Sequence, residues 1–113
     1  MCEEVARQVG ARAVALAGAT SLPVQAALCA IASLAVCNDS GLAHLAAAVG
    51  TPTVVIFGST SSAWSAPLGA RVRVVQRAPV CSPCFQRHCR IGYGCLTAVT
   101  VAEVTRACRE VAA

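Results

Sequence analysis

The segment that most constrains this chain is Asn-Asp-Ser-Gly-Leu-Ala-His at positions 38–44, between a short apolar run and an alanine-rich stretch. Its order predicts a strand, a turn and the start of a helix. Asp39 or Ser40 can cap the first helical amides, and Gly41 lets a ligand approach the backbone closely. Because a helix N-terminus has free N–H groups and a partial positive charge, the segment is a candidate phosphate-binding site. The simpler alternative is an ordinary helix cap, with His44 only a packed side chain.

The apolar pattern around this segment predicts alternating strands and helices. Strands are expected at 12–17, 35–38, 53–57 and 71–76, and helices at 3–9, 22–34, 41–49 and 100–111. Thr100, with Glu103 three residues later, predicts a capping box for the last helix. This alternation favours an α/β fold with a parallel sheet and flanking helices. Ligands of such sheets bind beyond the carboxyl ends of the strands, so Thr20, 38–44 and 57–60 are expected to meet at one crevice.

The charges are unevenly distributed along the chain. No acidic residue lies between Asp39 and Glu103, and the formal net charge is +4. Five arginines occur in that interval, at Arg71, Arg73, Arg77, Arg87 and Arg90. Such a stretch suits phosphorylated sugars, anionic lipid headgroups or nucleic acid, or it is a solvated face.

Length and hydropathy allow one small domain with an apolar core, since 57% of the 113 residues are hydrophobic. Residues 13–38 carry no charged side chain and are a candidate membrane span by hydropathy alone. Gly18, Pro23 and Gln25 interrupt this run, which favours a strand, a turn and a helix instead. The N-terminus starts with acidic residues and has no export-signal pattern, which favours a cytoplasmic protein.

Four of the eight cysteines are clustered near the C-terminus, as Cys81, Cys84, Cys89 and Cys95, with His88 beside them. Four thiolates at short spacing can form a tetrahedral zinc site, and a Cys-Ser-Pro-Cys element can be a redox pair. Reduced structural thiols are the third alternative, because the second pair is not a Cys-x2-Cys. The spacing does not match common iron–sulfur runs.

Residues 38–60 resemble the glycosyltransferase family that adds heptose to lipopolysaccharide. Its pattern is Asn-Asp-Ser-Gly-x-x-His-x-Ala-Ala-Ala-x-Gly-Thr-Pro, then an apolar strand and Phe-Gly-x-Thr. The matching residues are Asn38, Asp39, Ser40, Gly41, His44, Ala46, Ala47, Ala48, Gly50, Thr51, Pro52, Phe57, Gly58 and Thr60. Two further features resemble the same family: the upstream Gly-x-Thr-Ser-Leu turn at 18–22, and the later Trp64 and Pro67. The cysteine loop resembles that of heptosyltransferase II-type members.

The resemblance implies a GT-B architecture, in which two Rossmann-like domains face each other and the C-terminal one holds a nucleotide-activated sugar. Residues 1–113 would be part of that C-terminal domain. The donor would be ADP-heptose and the acceptor a lipid A-linked core oligosaccharide, with inversion at the anomeric carbon. The protein would be cytoplasmic, with peripheral contact at the cytoplasmic face of the inner membrane.

The same resemblance implies roles for six residues. The backbone amides of Ser40, Gly41 and Leu42 would hold the diphosphate. Asp39 and His44 would contact sugar hydroxyls or the diphosphate. Thr20 would lie near the adenosine.

No catalytic residue, metal ligand or cofactor is expected here, because the family's general base lies in an N-terminal acceptor domain. We expect the 113 residues to be a fragment without that domain, inactive by itself and of doubtful isolated stability. Nucleic acid is not an expected partner. Three alternatives remain open at this point: another nucleotide-sugar enzyme such as an epimerase, a zinc-stabilised nucleic-acid module, and a structural fragment that binds no ligand.

Overall fold

The computed structural model describes residues 1–113 as a three-stranded parallel sheet with helices on both faces. The helices are α1 (Cys2–Val9), α2 (Leu22–Ile31), α3 (Gly41–Ala48), α4 (Ser62–Ser65), α5 (Gly94–Thr97) and α6 (Val101–Ala112). The strands are β1 (Ala35–Asn38), β2 (Thr53–Phe57) and β3 (Val72–Gln76), in the spatial order β1-β2-β3. Thr53 is in register with Ala35 on one side and Val72 on the other. The predicted α/β class is confirmed.

Strand β2 forms the centre of the core because its β-branched side chains point to both faces of the sheet. On one face, Val55 and Phe57 pack with Cys37 and with Ala43 of α3. On the other face, Val54 packs against α6 through the residues Ala107 and Val111. The small alanines let both helices lie close to the sheet. Residues 35–57 therefore form the best-buried part of the chain, and the 38–44 segment lies inside it.

Helix α6 begins with the predicted capping box. The Glu103 N–H donates to Thr100 Oγ1 at 3.3 Å, and the Thr100 N–H donates back to Glu103 Oε2 at 2.9 Å. This reciprocal pair satisfies two amides that would otherwise lack partners. The apolar face of α6 can then pack on β2 and β3.

The expectation of a strand at 12–17 is wrong. This segment is irregular, and its flanking residues Gly10 and Gly18 have φ angles of 87° and 73°. The Ala13 N–H donates to Gly10 O and the Ala19 N–H to Leu16 O, so local turns take the place of a ladder with β1. An apolar run alone cannot specify a strand, because a strand also needs a neighbour that offers matching backbone groups.

The other predicted bounds differ only at their ends. Strands 35–38 and 53–57 are found as predicted, while α2 ends at Ile31 instead of position 34 because Ala32 is extended (φ −73°, ψ 139°). The single-turn helices α4 and α5 were missed, since four residues carry too little periodicity to predict a helix. No helix of the chain combines the length and apolarity needed to cross a membrane.

Candidate functional site

The candidate site is built around the N-terminus of α3, where β1 ends and the chain turns through Asp39 and Ser40. Ser40 is the N-cap residue and is extended (φ −160°, ψ 166°), but its side chain does not cap the helix. The Ser40 hydroxyl instead donates to Asn38 O at 3.2 Å. Asp39 does not cap the helix either, so the predicted capping role is wrong for both residues.

The missing cap leaves backbone donors available at this position. The N–H groups of Ser40, Gly41 and Leu42 donate to no atom of the chain, and the first paired amide is that of Ala43, which donates to Ser40 O at 3.1 Å. Free amides at a helix start concentrate partial positive charge and attract anions. The geometry therefore provides three uncapped donors at the carboxyl end of β1.

Asp39 is held by the strand that follows. Its carboxylate Oδ2 accepts a hydrogen bond from Thr60 Oγ1 at 2.6 Å, and its backbone N–H donates to Ile56 O at 3.2 Å. The other carboxylate oxygen accepts no hydrogen bond from the chain. Asp39 is half-buried, so this restraint orients the carboxylate while leaving one oxygen available.

A hydrogen-bond chain continues from Thr60 to the end of β3. The side-chain amide of Gln76 donates to Thr60 O at 3.0 Å, and Ser62 Oγ donates to Gln76 Oε1 at 2.6 Å. The carboxyl ends of β1, β2 and β3 are thus joined through Asp39, Thr60 and Gln76. This confirms that the 38–44 and 57–60 segments meet.

Gly41 and His44 lie on the open side of α3. A Cβ built on Gly41 would meet no atom within 4 Å, and φ at this position is not in the left-handed region. Gly41 is therefore not required by backbone conformation. His44 is exposed, and its imidazole makes no hydrogen bond within the chain. Both positions are accessible to a ligand that sits on the helix N-terminus.

Thr20 lies apart from this network. It lines a cavity of about 250 Å³ with Leu16, Gln25, Leu28, Cys29 and Leu42. Gln25 Nε2 donates to Thr20 Oγ1 at 3.2 Å. Since residues 12–17 are not a strand, Thr20 does not follow a strand end as expected. Its link to the α3 terminus is Leu42, which borders this largely apolar cavity.

Gln76 and Ser62 are site-forming residues that the sequence did not reveal, whereas Gly58 belongs to the 57–60 segment that was expected at the site. A Cβ at Gly58 would lie 2.7 Å from Leu96 Cδ2 and 2.9 Å from its Cγ, so a glycine lets α5 pack on the end of β2. The Phe-Gly-x-Thr pattern was a signal for Gly58. Gln76 was identifiable only as the last residue of an alternating strand.

The cysteine loop does not form the predicted alternative of a zinc site. No three His, Cys, Asp or Glu side chains of the chain are placed so that they could hold a metal ion together. All eight cysteines are free thiols. Burial, with a smaller contribution from Cys29, raises the pKa of the core thiol Cys37, which keeps that thiol protonated.

A parallel sheet with free helix amides at its carboxyl edge defines a Rossmann-like class of ligand-binding α/β domain. Comparison with known families makes this more specific. The model of glycosyltransferase family 9 (heptosyltransferase) matches residues 1–93, and the chain belongs to this family.

Individual relatives agree with this assignment. The chain is 40% identical over 61 residues to lipooligosaccharide heptosyltransferase 2 of Haemophilus influenzae, and 41% identical over 61 residues to lipopolysaccharide heptosyltransferase 2 of Escherichia coli. Each match covers 54% of this chain and 18% of the relative. Lipopolysaccharide heptosyltransferase 1 of Pseudomonas aeruginosa is 37% identical over 70 residues, which is 61% of this chain and 19% of that protein. No solved structure matches the chain.

Proposed function

We propose that residues 1–113 form part of the nucleotide-sugar-binding domain of a heptosyltransferase that acts in lipopolysaccharide core biosynthesis. The proposed donor is ADP-heptose. The acceptor would be a lipid A-linked core oligosaccharide, and transfer would invert the anomeric carbon. The family membership and the names of the relatives support this reaction class. The proposed location is the cytoplasm, at the cytoplasmic face of the inner membrane.

The observation that carries the proposal is the uncapped N-terminus of α3. The free N–H groups of Ser40, Gly41 and Leu42 are suited to the diphosphate of the donor. Hydrogen-bond donors fixed in advance stabilise the charge that develops on a leaving diphosphate, and they need no metal ion to do so. In this proposal, α3 both binds the donor and favours departure of ADP.

Two side chains would give selectivity. The free carboxylate oxygen of Asp39 can accept a hydrogen bond from a sugar hydroxyl, while Thr60 keeps the other oxygen in place. His44, one turn along α3, would contact the diphosphate or the sugar. Thr20 and Leu42 border the apolar cavity where the adenosine would lie. The general base and the acceptor-binding residues are assigned to no position in 1–113.

The proposal is tested by amide NMR titration of the chain with ADP, with a short RNA as the control. We expect shifts centred on residues 40–44 with ADP and none with RNA. Shifts with RNA that spread over the arginines at 71–90 would favour the nucleic-acid alternative. A dispersed spectrum that ADP does not change would contradict the proposed donor site.

The substitution Gly41→Val tests the same site by closing it. A side chain at Gly41 meets no atom of the chain, so the fold should tolerate it, but the isopropyl group would obstruct an anion on the amides. We expect ADP affinity to fall about tenfold, measured by the same titration. The matched control is Gly94→Val, because Gly94 is also the first residue of a helix and also faces open space. Equal affinity in the two variants would contradict the placement.

A further inference from the structure

Three thiols of the cysteine loop share one surface cavity. Cys81, Cys84 and Cys89 line a cavity of about 400 Å³ together with His88 and Arg90. Gln86 and Ile91 complete the lining. Cys81 is exposed, whereas Cys84 and Cys89 are half-buried. The cavity therefore brings several nucleophilic sulfur atoms to a place that a small molecule can reach.

Cys89 differs from the other thiols in its hydrogen bonds. Its Sγ accepts the backbone N–H of Tyr93 at 3.2 Å and that of Ile91 at 3.4 Å. These bonds, first that of Ile91 and then that of Tyr93, favour the thiolate and lower the pKa of Cys89. The thiolate is the nucleophilic form of cysteine. Cys89 is thus the activated member of the group.

The loop that carries these thiols is fastened to the end of β2. The N–H groups of Cys84 and Phe85 both donate to Ser59 O, at 3.0 Å and 2.9 Å. Ser82 Oγ donates to Gly58 O at 3.2 Å. Phe85 also packs against Trp64, with ring centroids 6.1 Å apart. The cavity is therefore built on the best-packed strand of the chain.

The charge around the cavity is positive. Arg90 lines it, Arg87 is close in sequence, and no acidic residue occurs from position 40 to position 102. The imidazole of His88 also lines the cavity. Such surroundings favour anionic small molecules.

We propose that this cavity is a thiol–disulfide exchange site for a small anionic disulfide of the glutathione class, with Cys89 as the attacking residue. The Cys89 thiolate attacks one sulfur of the disulfide RSSR, which breaks the S–S bond, forms Cys89–S–S–R and releases RS⁻. A second thiol of the cavity, Cys84 or Cys81, then loses its proton and attacks the Cys89 sulfur. That step forms an internal disulfide and releases a second RS⁻, so the small disulfide is reduced and two protein thiols are oxidised. The exchange is independent of the proposed donor site.

The test uses glutathione disulfide on the full chain near neutral pH, with peptide mass mapping at successive times. We expect glutathione to appear on Cys89 about tenfold faster than on Cys2, an exposed thiol to which no chain atom donates a hydrogen bond. The mixed disulfide should then give way to a link between Cys89 and Cys84 or Cys81. Repeating the reaction in urea should bring the rates at Cys89 and Cys2 together.

Variants separate the two steps. Cys89→Ser should abolish both the mixed and the internal disulfide in the loop, while Cys2→Ser leaves both unchanged. One of Cys84→Ser and Cys81→Ser should stop the reaction at the mixed disulfide. The proposal is overturned if Cys89 and Cys2 react equally fast without urea, or if no internal disulfide follows. Because the urea comparison is made within one chain, a variant that fails to fold does not weaken the test.

Discussion

At the scale of single residues, the site depends on backbone amides that have no hydrogen-bond partner and on a carboxylate that a hydrogen bond orients. Ser40 uses its hydroxyl on Asn38 O and so leaves the helix amides free. Asp39 is oriented by Thr60, which lies 21 residues later in the chain. The motif identified both residues from the sequence. Their hydrogen bonds depend on how β1 and β2 are paired, which is a property of the sheet.

We expect Thr60→Val to destabilise the chain by about 1–2 kcal/mol, because valine has the shape of threonine but cannot donate to the half-buried Asp39 carboxylate. Urea unfolding measures the change. The control is Thr105→Val, which removes an exposed hydroxyl that bonds within α6 and should change stability by less than about 0.5 kcal/mol. An equal loss of stability in the two variants would show that the Asp39–Thr60 hydrogen bond stabilises the fold no more than an exposed hydroxyl does.

At the scale of elements, the local sequence was sufficient to predict a helix or strand whose own residues favour that structure. Strand β2 is β-branched from Thr53 to Ile56, and α6 has its capping box, so both were predictable. Segment 12–17 had the apolar composition of a strand but forms local turns and does not pair with β1, whose outer edge is free. Helices α4 and α5 are single turns with contacts to distant residues: Ser62 of α4 donates to Gln76 of β3, and Leu96 of α5 lies against Gly58.

The capping box makes α6 sensitive to acid. Hydrogen bonds from the Thr100 N–H and hydroxyl, and then the charge of Arg77, lower the pKa of Glu103 below the ordinary value of 4.5. A carboxyl whose pKa is lowered by folding stabilises the native state above its unfolded pKa, and this contribution is lost as pH falls through the folded pKa.

Glu103→Gln should therefore be less stable than the wild type near neutral pH, and the difference should shrink at about pH 3. Urea unfolding at both pH values measures this. Glu110→Gln on the same helix is the control, since Glu110 is exposed and reaches Arg73 only at 3.8 Å. A pH-independent gap between wild type and Glu103→Gln would contradict the assigned role of the charge.

At the scale of the whole molecule, the chain exposes more surface than a compact protein of the same mass. Its accessible area is 7826 Å², whereas a compact protein of 11.4 kDa exposes about 5,800 Å². Much of the excess lies before β2, where neither α1 nor α2 has a buried residue. Large apolar side chains exposed there include Val14, Leu16, Leu22, Val24, Leu28, Ile31 and Val36. An apolar surface of this kind favours association with other protein surface.

We expect the isolated chain to bind the dye ANS and to self-associate through this surface. Changing Ile31 and Val36, which are 82% and 50% exposed, to Ser and Thr should reduce both effects at little cost in stability. Dye fluorescence and light scattering after size exclusion measure the outcome. The control is Val54→Thr in the core, which should instead lower the unfolding midpoint. Unchanged dye binding in the surface variant would place the association elsewhere.

The sequence by itself determined the α/β class, the positions of β1 and β2, the start of α3 and the family pattern from Asn38 to Thr60. These depend on local periodicity, turn chemistry and residue type, which act over a few neighbours. The tertiary structure decided that Thr60 holds Asp39, that Gln76 closes the network, and that three thiols share a cavity. It also decided that Thr20 lies apart and that segment 12–17 is not a strand. The contacts among Asp39, Thr60 and Gln76 join the ends of three strands, so they depend on pairing over long sequence separations that no single segment encodes.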